Sequence, residues 1–279
     1  MKKILILGIL FLYIGNTFGQ IGQTERKVPF SIAVAAHIKK YNLKSNEAYK
    51  DQDLEYAQFL FDSLVQNHLV GTYMDDFKMS PLKGEPISFK EIEKPIFLIT
   101  YATWCVPGIG EIPALNDLAD KFHDQIDFIV LFWDTKERLK EKVGEYSENI
   151  QLLYVNELTN QNSYIINNLK HSLGFPMMYF MDNEKKLLDI RKIVTHHSSE
   201  TLSNSYTIHY NSLSKGVSLL IADLDAKGEL VPKAEEEEKK KSRERGDTRT
   251  QEERDIDEEY ERYRREKDSL ENQRRRDNK

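Results

Sequence analysis

Residues 95–101 read Pro-Ile-Phe-Leu-Ile-Thr-Tyr, an apolar run of strand length with no polar alternation. A strand of that kind has both faces buried and needs cover above and below it. The next residues supply one layer: Ile112, Leu115, Leu118, Ala119 and Phe122 recur at helical spacing, and a second apolar strand follows over residues 126–132. Strand, helix and strand in that order predict a crossover unit, and so an α/β fold.

The pattern continues on both sides. Downstream, the spacing predicts a charged helix over residues 135–146, a strand over 152–155, a helix over 163–173 and a strand over 177–181. A turn at 182–185 leads into 187–193, expected antiparallel to the strand before it, and residues 202–221 have room for a last helix. Upstream, residues 28–70 read as two helices, the second marked by Leu54, Ala57, Phe61, Leu64 and Val65 and stopped by Gly71. Residues 73–79, a turn at 81–84, and Ile87 with Phe89 predict a hairpin.

The two ends have different chemistry. Lys2 and Lys3, an apolar run over 4–14 and a small, polar exit over 15–19 form the pattern of a secretory signal peptide. The run falls short of the roughly 20 apolar residues that a membrane span needs, and the competing reading is an uncleaved anchor. No cysteine follows to carry a lipid, so the expected location is exported: periplasm or cell envelope. Beyond Gly228, Glu235 opens an acidic block, a basic block ends at Lys241, and few large apolar residues remain up to Lys279. Such a segment buries too little to offset the entropy of ordering it, and acid-first pairs such as Glu258 with Arg262 suit a solvated helix. The expected organisation is a signal peptide at 1–19, a helical extension at 20–69, an α/β domain at 70–225 and a charged helical or disordered tail at 226–279. A formal net charge of −6 gives no reason to expect nucleic-acid binding.

The chain has one cysteine, so no intrachain disulfide forms. Cys105 stands in the stretch Ala102-Thr-Trp-Cys-Val-Pro-Gly-Ile-Gly-Glu-Ile-Pro-Ala-Leu115, where a buried strand ends and a helix is expected to begin. Backbone N–H groups and the positive end of a helix dipole at such a junction favour thiolate, the reactive form. The carboxyl end of an open α/β sheet is also where ligand sites usually lie.

This stretch resembles the active-site segment of the thioredoxin superfamily, above all the exported TlpA and ResA-like thiol–disulfide oxidoreductases. The residues that carry the resemblance are Ala102, Thr103, Trp104, Cys105, Pro107, Glu111, Pro113 and Leu115. Gly174-Phe-Pro176 before the strand at 177–181 resembles the family's cis-proline loop, which packs against the active-site cysteine. The resemblance implies a thioredoxin-like mixed sheet flanked by helices, with Cys105 as nucleophile. It also implies a substrate groove of Trp104, Val106, Pro107, Gly108, Phe175 and Pro176.

The departures matter as much. Gly108 stands where the family keeps its resolving cysteine, and Ile99 where many thioredoxins place a buried acid. The expected chemistry is therefore a monothiol exchange through mixed disulfides with protein or low-molecular-weight thiols. The alternative is a redox-inactive module that binds partners at the same groove. A one-cysteine peroxidase needs Thr or Ser three residues before the cysteine, where this chain has Ala102. No cofactor, metal site or stable membrane insertion is expected: His196, His197 and His209 lack companions that complete a ligand set and read as surface residues. Trp133 and Tyr101 read as packing residues.

Overall fold

The computed structural model describes residues 27–160, 166–193 and 200–230. The expected signal peptide, nearly all of the charged tail, and His196 and His197 lie outside the described residues. Two compact units divide the chain at Leu230, and the description below concerns the first.

Helix α1 (Phe30–Lys50) and helix α2 (Leu54–Leu64) come first, and a π-helical turn, Val65–Leu69, extends the second. Asp53 caps α2 by accepting from the backbone N–H of Tyr56. Strands β1 (Lys78–Pro81) and β2 (Ile87–Ser88) form the hairpin. The crossover unit follows as β3 (Ile96–Tyr101), α3 (Glu111–Phe122) and β4 (Asp127–Phe132). After it come α4 (Lys136–Lys140), β5 (Ile150–Tyr154), a π-helical segment (Ile166–Ser172), β6 (Met177–Met181), β7 (Leu187–Lys192) and α5 (Leu202–Lys227).

The seven strands form one mixed sheet in the order β2-β1-β5-β4-β3-β6-β7. Strands β3, β4 and β5 run parallel, and β1, β6 and β7 are antiparallel to their neighbours. Strand β3 lies inside the sheet, with Leu98 between Ile129 on β4 and Tyr179 on β6. Its apolar run is explained by its two faces. Ile96 and Leu98 enter one core with Phe30, Phe61, Leu69 and Tyr179, while Phe97, Ile99 and Tyr101 enter another with Leu115, Leu118, Phe180 and Leu220. Burying one such side chain contributes about 1.5–3 kcal/mol, so the sheet and both helical layers depend on one another.

Three expectations are corrected. The charged helix at 135–146 is only α4 and a 3₁₀ turn at Val143–Glu145, because Leu139 is its one buried residue and a single anchor does not hold a long helix. The expected helix at 163–173 is described only over Ile166–Ser172, where it is π-helical. The last helix runs on to Lys227, where Gly228 closes it in the left-handed conformation at φ 69°.

Candidate functional site

Cys105 lies just past the carboxyl end of β3, half-buried, in a non-helical loop that runs to Gly110. Its backbone N–H donates to the Ala102 carbonyl at 2.9 Å. The Thr103 hydroxyl donates to the Asp134 carboxylate beyond β4, which ties the loop to the neighbouring strand end. Helix α3 begins only at Glu111, six residues after the cysteine. The expected helix N-terminus at the sulfur is therefore absent. Burial pushes the Cys105 thiol above its ordinary pKa, against a backbone hydrogen bond with Ala102 that pulls it down. The expectation of a favoured thiolate is thus overturned: with the dipole displaced, desolvation dominates.

Apolar side chains surround the thiol on the surface. Trp104 is 69% exposed, Val106 92% and Ile109 54%. The Phe175-Pro176 peptide bond is cis, and the Phe175 ring meets Trp104 edge-on with centroids 5.4 Å apart. The loop before β6 therefore stands beside the loop after β3. Lys170 sits over the Phe175 ring at 5.6 Å and pairs with Glu157. Pro107, Gly108 and Pro176 are half-exposed along the same loops. Among the described residues, no group of three or more His, Cys, Asp and Glu side chains converges to hold a metal ion.

Beneath this surface lies a polar cluster that the sequence reading missed. The Glu111 carboxylate accepts from the Gly108 N–H at 3.2 Å and faces His209 Nδ1 on α5 at 3.9 Å. Both side chains are almost fully buried, at 5% and 2% exposure. His209 is therefore not a surface residue as expected. The signal was present: Ser205, His209, Leu213, Gly216 and Leu220 recur at helical spacing and form the buried face of α5. Burial raises Glu111 to about 7, with the Gly108 N–H opposing it. The Tyr146 phenol, also pushed up by burial, lies within electrostatic reach of Glu111, Glu145 and Cys105. Close packing holds the cluster in place: Gly110 N–H donates to Ser205 Oγ at 3.0 Å, and the glycine has no room for a side chain against the α5 backbone.

A crossover β-α-β unit, an antiparallel β6-β7 extension, and a cysteine loop facing a cis-proline loop define a thioredoxin-like α/β protein. Residues 70–190 match the family model described as AhpC/TSA family, a match that spans less than half of the chain. The chain is 24% identical over 121 residues to the thioredoxin-like protein YneN of Bacillus subtilis, covering 43% of this chain and 69% of that protein. It is 26% identical over 137 residues to the thiol-disulfide oxidoreductase ResA of Bacillus cereus, covering 48% of this chain and 74% of that one. Among solved structures it is similar to the thioredoxin domain of a thiol-disulfide oxidoreductase from Bacteroides vulgatus, with TM-score 0.40 and 17% identity, covering 52% and 96% of the two chains. It is also similar to a thio-disulfide isomerase from Thermus thermophilus, with TM-score 0.39 and 19% identity, covering 53% and 96%.

Proposed function

We propose that the chain carries out thiol–disulfide exchange through Cys105 alone, as an exported protein of the periplasm or cell envelope. The observation that carries this reading is a half-exposed thiol among exposed apolar side chains, beside a cis-proline loop held by the Trp104–Phe175 contact. The relatives named as thiol-disulfide oxidoreductases support it. In the first step Cys105 loses its proton and its sulfur attacks one sulfur of a partner's disulfide. A new S–S bond forms, the partner's breaks, and the departing sulfur leaves as thiolate and takes up a proton. A second thiol, low-molecular-weight or on another protein, then displaces Cys105 by the same exchange, so each step conserves one disulfide. In this reading Trp104, Val106, Pro107, Gly108, Phe175 and Pro176 form the partner's groove.

Export rests on the pattern of residues 1–19, and no described helix is long and apolar enough to cross a membrane. A peroxidase reading is opposed by Ala102, three residues before the cysteine.

A second reading, a groove that binds partners without turnover, is favoured by the raised thiol pKa and the displaced helix start. The test is capture of an oxidised, cysteine-containing peptide by the purified chain at neutral and at alkaline pH. Exchange predicts a Cys105-linked mixed disulfide that forms faster as pH rises and is lost in Cys105→Ser. Binding of the peptide with equal affinity by both proteins, and no covalent product, would install the second reading.

A further inference from the structure

We propose that Asp134 is a positioning residue for Cys105: its carboxylate holds the Thr103 hydroxyl, and with it the turn that carries the thiol, against the end of β4. The inference rests on reading Cys105 as the reactive thiol, and it names what sets the depth of that thiol.

The turn is short and closed. The Cys105 N–H donates to the Ala102 carbonyl, so Thr103 and Trp104 are its two central residues. Strand β3 has ended by then: the bond from Trp133 N–H to the Tyr101 carbonyl, at 2.8 Å, carries the β3–β4 ladder just past its last paired residues. Beyond it the link passes to side chains, as the Thr103 hydroxyl donates to Asp134. Trp104, the other central residue, meets the Phe175 ring edge-on. The turn is thereby held from two sides, by Asp134 through Thr103 and by the proline loop through Trp104.

The Asp134 carboxylate is itself fixed. One oxygen accepts from Thr103, while the other accepts from the Thr135 N–H at 2.9 Å and lies 3.6 Å from the Arg138 guanidinium, one turn along α4. Contacts on both oxygens set the plane of the group and so the direction in which it meets Thr103. Its side chain is only 7% exposed. Burial works against its charge, yet the hydrogen bonds from Thr103 and Thr135, with Arg138 nearby, keep its carboxyl below the ordinary carboxylate pKa. It therefore stays ionised where a thiol titrates, and the Thr103 bond has the strength of a charge-assisted one.

The consequence for the thiol follows from its burial, which pushes its pKa up. Releasing Thr103 lets the turn open, returns the sulfur to water and removes that penalty. Asp134 acts on Cys105 by geometry.

The experiment follows two quantities in the full chain: hydrogen exchange of the Cys105 amide by NMR, and the pH midpoint of Cys105 alkylation by iodoacetamide. Thr103→Val, which keeps the shape and loses the hydroxyl, should speed exchange of the Cys105 amide at least about tenfold, while the Leu98 amide inside β3 keeps its protection. The same substitution should lower the alkylation midpoint by at least about half a pH unit. Thr103→Ser, which restores the donor, should return both values to those of the unaltered chain. Asp134→Ala should reproduce Thr103→Val, and the double variant should add nothing to either single one. Should Asp134→Ala not fold, the two Thr103 variants decide. An unchanged amide and midpoint in Thr103→Val overturn the inference; so does an equal loss of protection at Leu98, or a Thr103→Ser that fails to rescue. Both quantities report the thiol and its turn whether or not disulfide exchange occurs, so failure of peptide capture would sink the proposed function and leave this result standing.

Discussion

Glu111 is buried at a cost that depends on its charge, and this makes folding of the chain bind a proton. Burial raises the group from 4.5 to about 7 in the folded protein, with the Gly108 N–H opposing. Below about pH 4.5 the carboxyl is protonated whether the chain is folded or not, and its full stabilisation is present. As pH rises, the unfolded chain loses its proton first, so stability falls until the folded group also ionises near 7. The difference is about 3 kcal/mol at most. Glu111→Gln should therefore leave stability unchanged in acid and raise it above pH 7, read as the urea midpoint at each pH. A gain of equal size in acid would assign the effect to packing and not to charge. The thiol titrates in the same sense of direction but with a different result. Burial pushes Cys105 up, so its alkylation below neutral pH should be slower than that of a small free thiol. Both effects concern atoms that the sequence names but does not bury. Cys105, Trp104 and the proline loop were legible because the strand before them and their spacing are strong signals. The depth of Glu111 was not, because it depends on α5, which crosses it from 98 residues further along the chain, at His209.

Among the elements, the start of α3 comes very close to α5 at Gly110. A Cβ there would stand 2.0 Å from the backbone nitrogen of Tyr206, a distance that only backbone movement relieves. Gly110→Ala should lower stability by about 3 kcal/mol, the upper part of the range for overpacking, measured by thermal or urea unfolding. A neutral substitution would mean that α5 shifts freely, and the Glu111–His209 separation would then be loose as well. The structure makes Gly110 the condition for the two helices to meet. Tyr206 reinforces the contact by donating from its hydroxyl to Asp117 on α3 at 2.6 Å. The elements that were legible are those with many apolar positions: β3, β4, β6, α2 and α3. The charged stretch after β4 was not, because its helical spacing of charges carries no information about what it packs on, and only Leu139 reaches the core.

At the scale of the whole molecule, the sheet divides the interior in two, and α1 and α2 close one side of it. Phe30, Val34, Phe61, Leu64 and Leu69 share a core with Met79, Leu98, Tyr179 and Leu187. A chain lacking residues 27–69 should expose that face and aggregate, whereas Phe61→Ala in the full chain should fold with a loss of about 3–5 kcal/mol. A soluble, cooperatively unfolding truncation would show the two helices to be dispensable. The two tryptophans occupy opposite surroundings. Trp133, just after β4, is buried, while Trp104 beside the cysteine is bathed in water. Their fluorescence should be split accordingly, blue from the first and red from the second, as emission spectra of Trp104→Phe and Trp133→Phe would resolve. A polypeptide seated over Cys105 would dry the second indole alone, so the protein carries its own optical gauge of occupancy.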